Sequence, residues 1–198
     1  MSYFGEQYPL YYPQYISGYE RVKMSIMKAT TIMEMEQHTN QIVIFGATGD
    51  LCRRKLIPAL YKLHSKKLIP DNLIIVGTSR REHSKESWLE TLGDYPEDFL
   101  NRLDWVSTDL ENPETLHRLP NANQTTYFLS VPPERYESAI INLKQGGLLD
   151  DPENSRVVIE KPFGNDLKSA DHLQSVVERY LREKQVYRID HYLGKDTV

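Results

Sequence analysis

The chain has 198 residues, of which 39% are hydrophobic and 26% charged, as is typical of a globular domain of ordinary size. Its net charge of −4 gives no field that favours nucleic acid or an anionic membrane, and no apolar run approaches the roughly 18 residues of a membrane span. One cysteine, Cys52, excludes an internal disulfide and fits a reducing compartment, so we expect a cytoplasmic protein.

Residues 1–40 form an extension that differs from the rest of the chain. Tyrosines alternate with prolines and polar residues, a Met-rich stretch follows, and neither part has a strand or helix period. Such a composition favours an irregular or disordered tail. Two alternatives remain open: translation starts at Met24 or Met27, or the tyrosine-rich segment binds a partner.

From residue 41, short apolar runs alternate with helical periods. Runs that are apolar on both faces are typical of strands in a parallel sheet covered by helices on both sides. The alternation predicts an α/β fold with a doubly wound, mostly parallel sheet, in one domain. The predicted strands are 42–45, 73–76 before Gly77, 103–106, 127–129 with Val131, 157–159 and 186–189.

Two helices are predicted between these strands. Leu56, Leu60 and Leu63 lie one or two helical turns apart, and Pro58 predicts a kink or restart in that helix. A second helix is predicted to begin near Asn165 or Asp166. The residues expected to share one of its faces are Leu167, Ala170, Val177 and Leu181.

Two glycines follow the first strand with the spacing G-x-x-G. Glycines let a backbone turn tightly and approach a phosphate, and peptide N–H groups at a helix start can bind the charge of a pyrophosphate. An ordinary strand-to-helix turn is the alternative interpretation. The candidate segment is Gly46, Ala47, Thr48, Gly49, Asp50 and Leu51, followed by Cys52, Arg53, Arg54 and Lys55, whose positive charges would lie near the phosphates.

Two arginines follow the second strand. In dinucleotide-binding folds this strand end meets the adenosine ribose, where an acid favours NAD and an arginine favours the 2′-phosphate of NADP. Arg80 and Arg81 stand there without an acidic residue. We therefore predict an NADP site with Arg80 as its main contact, against the alternative of two solvated surface arginines.

Two further motifs follow later strands. The first runs from Glu160 to Gly164 and offers Lys161 to a sugar hydroxyl; a plain turn with an exposed lysine is the alternative. The second runs from Arg188 to Lys195. There His191, Tyr192 and Lys195 are suited to bind a phosphate, and Asp190 to orient a histidine base. No histidine in the chain has metal-ligand spacing, so no metal site is predicted.

The segments 46–51, 160–164 and 188–195 together resemble signature segments of the glucose-6-phosphate dehydrogenase family, in the same order and at similar separations. The resemblance covers about residues 41–198. It implies a Rossmann-like NADP-binding domain and oxidation of D-glucose 6-phosphate to a lactone with reduction of NADP, the first step of the pentose phosphate pathway.

The resemblance also implies roles for individual residues. Residues 46–53 would bind the pyrophosphate, and Arg80 the 2′-phosphate. Asp109 and Leu110 would line the adenosine side, and Lys161 would contact nicotinamide and substrate. His191, Tyr192 and Lys195 would bind the sugar phosphate.

One catalytic group is expected to be missing from this polypeptide. In the family the catalytic histidine lies some sixty residues beyond the last signature, on a β+α domain, and Asp190 would support it. We therefore expect residues 41–198 to be inactive alone. The alternatives are a partner of a second polypeptide carrying that domain, a non-catalytic NADP-binding module and, with less support, a distinct sugar dehydrogenase. Self-association is expected if the face that this domain covers is exposed.

Overall fold

The computed structural model describes residues 41–164 and 166–189. The extension 1–40, the predicted helix start at Asn165, and the motif residues Asp190, His191, Tyr192 and Lys195 lie outside the described residues.

Six parallel strands form one sheet in the order β3-β2-β1-β4-β5-β6. Strands β1, β4 and β5 are buried along their whole length, as the sequence predicted for covered parallel strands. The strands are β1 Gln41–Phe45, β2 Ile74–Ser79, β3 Leu103–Ser107, β4 Thr125–Leu129, β5 Ser155–Glu160 and β6 Val186–Ile189.

Helices cover both faces of the sheet. A π-helical turn, Cys52–Leu56, leads into α1, and 3₁₀ turns lie at Pro133–Arg135 and Glu183–Gln185. The α-helices are α1 Ile57–Ser65, α2 Lys85–Glu90, α3 Glu97–Leu100, α4 Pro113–Leu116, α5 Tyr136–Gln145 and α6 Leu167–Tyr180.

The sheet separates two apolar cores. Ile42 and Ile44 of β1 face the first core, which contains the buried side chains of α1, α2 and α3. Val43 and Phe45 face the second, which contains those of α4, α5 and α6. Because side chains alternate along a strand, each strand contributes to both cores, and the predicted doubly wound fold is confirmed.

Within residues 41–164 and 166–189 the predicted strands were right in number, but most of their bounds differ from the observed ones, and two C-terminal ends differ most. Strand β2 continues through Gly77 to Ser79, because Gly77 packs against the Trp88 ring and does not form a turn. Strand β4 ends at Leu129, so Val131 lies in the loop beyond it.

The predicted irregularity at Pro58 is confirmed. The N–H of Ile57 bonds to the carbonyl of Cys52, five residues back, which defines the π turn, and Pro58 lies in the first turn of α1. A proline is tolerated there because the first N–H groups of an α-helix have no intrahelical acceptor.

Helix α6 begins where the sequence predicted, but its buried face differs. Asp166 caps the helix, with its carboxylate accepting a hydrogen bond from the Ser169 N–H at 2.7 Å. Leu167 is 77% exposed, so its predicted place on the buried face is wrong. Because it is the first residue of the helix, it precedes the turns that pack on the sheet. The helix buries Leu173, Val176 and Val177.

Across residues 41–164 and 166–189, no helix is long and apolar enough to cross a membrane.

Candidate functional site

The turn after β1 is fixed by the adjoining strand ends. Gly46 has φ +80°, and the N–H groups of Gly46 and Ala47 both donate to the carbonyl of Thr78 in β2, at 3.0 and 3.1 Å. The Gly49 N–H donates to the Gly46 carbonyl at 2.9 Å. Within the described part of the chain, the Thr48 N–H has no acceptor, so it is available to a ligand.

Two buried hydrogen bonds hold this turn and the neighbouring strand ends in place. The indole N–H of Trp88, which is fully buried, donates to the Ala47 carbonyl at 3.1 Å. The hydroxyls of Thr78 and Thr108 are 2.5 Å apart, which joins the ends of β2 and β3. Since Thr78 also accepts from the turn, three of the loops at this edge of the sheet share one hydrogen-bonded network.

The helix that follows the turn begins at residue 50 with an exposed ion-pair cluster. Asp50 accepts a hydrogen bond from Arg53 at 2.7 Å and lies 3.7 Å from Arg54. The hydrogen bond from Arg53, together with the charge of Arg54, holds the pKa of the Asp50 carboxyl below its ordinary value. The predicted positive charge near the phosphates is thus partly neutralised by Asp50, while Lys55 is exposed.

Two side chains predicted near the phosphates face the protein interior. Cys52 is completely buried, and burial raises the pKa of its thiol to about 12. Ala47 is buried as well, and Leu51 is half-buried against the first core. Any contact of Cys52 with a ligand would therefore be made by the backbone, which at the start of a helix has N–H groups without intrahelical acceptors, whereas the Ala47 N–H already donates to the Thr78 carbonyl.

Arg80 and Arg81 follow β2 and are exposed. Among the described residues, neither guanidinium group has a carboxylate partner. The neighbouring acid, Glu82, lies 3.9 Å from Arg118. In this part of the chain, therefore, no carboxylate compensates the charge of either arginine at the strand end.

The loop after β3 carries Asp109 and Leu110 and is held at both ends. The Asp109 N–H donates to the Thr115 hydroxyl at 2.8 Å. The Leu110 carbonyl accepts from the side-chain amide of Asn142, in α5, at 2.6 Å. These contacts fix the loop against the helix layer on that side of the sheet.

These loops enclose one cavity of about 390 Å³, here called the strand-end cavity. It lies at the carboxyl edge of the sheet, where Phe45 of β1 is level with Thr78 of β2 and Leu129 of β4. Ligands bind open α/β sheets at this edge. The lining residues are Phe45, Gly46, Thr48, Ser79, Arg80, Arg81, Thr108, Asp109, Leu110, Glu111, Val131, Pro132, Arg135 and Ser138.

Sequence reasoning missed several of these residues, of which Glu111 and Arg135 carry charge. Arg135 Nη1 hydrogen-bonds Glu111 Oε1 across the cavity wall. The two residues are 24 positions apart and belong to no motif, so only the arrangement of the strands could reveal their contact.

Lys161 lies at the end of β5, on the other side of β1 from Arg80. Its N–H donates to the carbonyl of Ile189 in β6 at 2.8 Å, and the Lys161–Pro162 peptide bond is cis. The Lys161 side chain is exposed and does not line the strand-end cavity. The structure thus places it at the same sheet edge but apart from Arg80 and Asp109.

The cavity suits a phosphate-bearing ligand that also has apolar parts. Its volume is within the roughly 300–1,000 Å³ range of small-molecule sites. It combines apolar walls from Leu110 and Val131 with the guanidinium groups of Arg80 and Arg81 and the available Thr48 N–H. A nicotinamide dinucleotide offers a flat base, a ribose and phosphates, which match these three kinds of surface.

Comparison with known families agrees with this geometry. A sequence model described as glucose-6-phosphate dehydrogenase, NAD binding domain, matches residues 43–198. The chain is 38% identical over 183 residues to glucose-6-phosphate 1-dehydrogenase of Zymomonas mobilis and 40% identical over 170 residues to that of Borreliella burgdorferi. These matches cover 83% and 79% of this chain but 37% and 35% of the relatives. The chain therefore spans little more than a third of the curated relatives' length.

Solved structures show the same partial overlap. A glucose-6-phosphate dehydrogenase in complex with its substrate glucose-6-phosphate superposes with a TM-score of 0.70 at 28% identity, covering 81% of this chain and 38% of that one. The Mycobacterium avium enzyme gives a TM-score of 0.68 at 29% identity, covering 81% and 37%.

Proposed function

Since the chain belongs to the glucose-6-phosphate dehydrogenase family and carries its dinucleotide-binding domain, we propose that it binds NADP in the strand-end cavity. The observation that carries this proposal is the pair Arg80 and Arg81 at the end of β2, where an acid would stand in an NAD-preferring site. The adenosine would lie between Arg80 and the loop at Asp109, and the pyrophosphate at the turn from Gly46 to Gly49.

Arg80→Ala tests this choice of cofactor. The variant is expected to lose roughly 1.5–3 kcal/mol of NADP binding free energy, because it removes a charged hydrogen bond to the 2′-phosphate. NAD lacks that phosphate, so its affinity should change little. Isothermal titration calorimetry of the unaltered chain and the variant with both dinucleotides measures this difference.

Arg102→Ala is the control for this experiment. Arg102 bonds the carbonyls of Pro70 and Asp71, away from the cavity lining, so the variant should keep the NADP preference. An unaltered chain that binds NAD as tightly as NADP contradicts the proposal.

For the substrate we propose D-glucose 6-phosphate. The bound nicotinamide would accept a hydride from sugar C1 while the C1 hydroxyl loses a proton, giving the lactone. Lys161, directly after β5, would hold the sugar next to the nicotinamide. His191, Tyr192 and Lys195 are proposed to bind the 6-phosphate, and Asp190 to orient a histidine base.

The 198-residue polypeptide alone is expected to form no NADPH above background from glucose 6-phosphate and NADP. The reaction needs a base for the hydroxyl proton, and by the family resemblance the catalytic histidine would come from the β+α domain. NADPH absorbance measures turnover. A rate near that of ordinary enzymes, about 1–10³ per second, contradicts this expectation.

The corresponding positive test is to supply the base from a second polypeptide. We propose that such a partner would carry the β+α domain, and that without it the chain self-associates. Adding a β+α domain from a relative should restore turnover if this chain supplies the cofactor side of the site.

Light scattering of the chain alone tests self-association, which a monodisperse monomer would contradict.

A further inference from the structure

An ion pair on the wall of the strand-end cavity joins the loops that follow β3 and β4. Glu111 follows β3 and Arg135 lies in the turn after β4. In the sheet order, β2 and β1 stand between those two strands. Neighbouring strands are about 4.8 Å apart, so the loops start from points roughly 14 Å apart. The pair therefore spans the cavity on the side of α5.

The contact is also supported by its surroundings. The Leu110 carbonyl, next to Glu111, is held by the Asn142 amide at 2.6 Å. The Arg135 N–H donates to the Pro132 carbonyl at 2.9 Å, and its own carbonyl accepts from the Ser138 hydroxyl at 3.1 Å. The side chains of Arg135 and Glu111 remain 44% and 45% exposed, so a ligand in the cavity is in reach of their charges.

The charges on the cavity wall are unevenly matched. Its lining includes three arginines, Arg80, Arg81 and Arg135, and two carboxylates, Asp109 and Glu111. Only the Arg135–Glu111 couple forms an ion pair within this described lining. Without Arg135, the Glu111 carboxylate would be an uncompensated negative charge on the wall that also carries Arg80.

We propose that Arg135 is a specificity-determining residue for the 2′-phosphate of NADP and that it acts by neutralising Glu111. This inference rests on the proposed NADP binding. A phosphate monoester carries about −1.5 to −2 charges near pH 7, so an unpaired carboxylate on the same wall repels it. NAD lacks this phosphate, so the repulsion lowers the NADP preference rather than dinucleotide binding in general.

The test is a double-mutant cycle on the full 198-residue chain, with the affinities for NADP and NAD measured by calorimetry. Arg135→Gln is expected to weaken NADP about three- to tenfold at low salt and to change NAD by less than twofold. Glu111→Gln should bind NADP at least as tightly as the unaltered chain. The double variant Glu111→Gln/Arg135→Gln should recover the original preference, because the repelling charge is gone.

Ionic strength supplies a second readout. The screening length falls from roughly 30 Å at 0.01 M salt to about 3 Å at 1 M, so the effect of Arg135→Gln on the NADP preference should largely vanish at high salt. Lys184→Gln is the matched control, since it breaks another exposed ion pair, with Glu153, outside the cavity. Thermal unfolding by circular dichroism verifies that each variant is folded.

Three results overturn the inference. Equal losses of NADP and NAD would show a purely structural role, and no loss would show that the pair is irrelevant. A double variant as weak as Arg135→Gln would mean that Arg135 contacts the phosphate directly. An unaltered chain without NADP preference instead refutes the proposed function, which separates the two failures.

Discussion

Replacing Gly46 by alanine is expected to destabilise the fold by about 3 kcal/mol or more and to abolish dinucleotide binding. Gly46 has φ +80°, and an alanine Cβ would stand 2.2 Å from the carbonyl oxygen of Ser130. The left-handed conformation alone costs roughly 1–2 kcal/mol for a residue with a Cβ, and forced overpacking typically adds about 1–3 kcal/mol. Urea unfolding and NADP titration measure the two effects.

The clash cannot be relieved cheaply, because the opposing atom is backbone. The Ser130 N–H donates to the Phe45 carbonyl at 3.0 Å, so that segment is tied to β1 itself. Moving Ser130 away would break this bond and shift the wall of the strand-end cavity at Val131.

Gly93→Ala is the matched control. Gly93 also has a positive φ, +98°, but an added Cβ would meet no atom within 4 Å. This variant pays the conformational cost without the clash and should keep NADP binding. Equal destabilisation by the two substitutions would mean that the contact with Ser130 contributes nothing.

Much of the fold was predictable because its signals are local. Apolar runs of three or four residues marked the six strands, and the G-x-x-G spacing marked the turn after β1. Polar capping residues predicted a start of α6 near Asn165 or Asp166, and Asp166 is the cap. Each of these signals depends only on neighbouring residues, so one sequence suffices to detect it.

The errors arose where tertiary contacts decide. Gly77 looked like a strand end, since glycine usually interrupts strands. In the structure it stays within β2 because the Trp88 ring occupies the space of a side chain there. Leu167 was expected in the core on periodicity, but the helix packs through residues further along. Neither outcome can be inferred without knowing which residues pack against Gly77 and against helix α6.

The candidate site divides in the same way. Arg80 was predicted because it follows a strand, and Asp109 was implied by the family resemblance. Both line the strand-end cavity, since parallel strands end at one edge of the sheet. Glu111 and Arg135 come from loops that meet only after the chain crosses the sheet. The ion pairs of Asp50 were equally undetected, although Arg53 and Arg54 follow at helical spacing.

Trp88→Ala is expected to be the most destabilising substitution in the first core, at about 3–5 kcal/mol. The side chain is fully buried, its ring centroid is 5.2 Å from that of Trp105, and it fills the space beside Gly77. Removing it creates a cavity against β2 and leaves the Ala47 carbonyl without its indole donor. Chemical unfolding of the variant and the unaltered chain gives the difference.

Trp88 also connects the first core to the turn at Gly46. One further variant therefore separates its packing from its hydrogen bond, and a second serves as a control. Trp88→Phe keeps an aromatic ring but loses the N–H that bonds the Ala47 carbonyl. It should cost less stability than Trp88→Ala. It should still weaken NADP binding, because the turn at Gly46 loses that hydrogen bond. Leu167→Ala is the control. It removes a large apolar side chain that is 77% exposed, and it should change the free energy of unfolding by less than about 0.5 kcal/mol. If Trp88→Phe retains full NADP affinity, the indole hydrogen bond does not position the turn, and Trp88 serves packing alone.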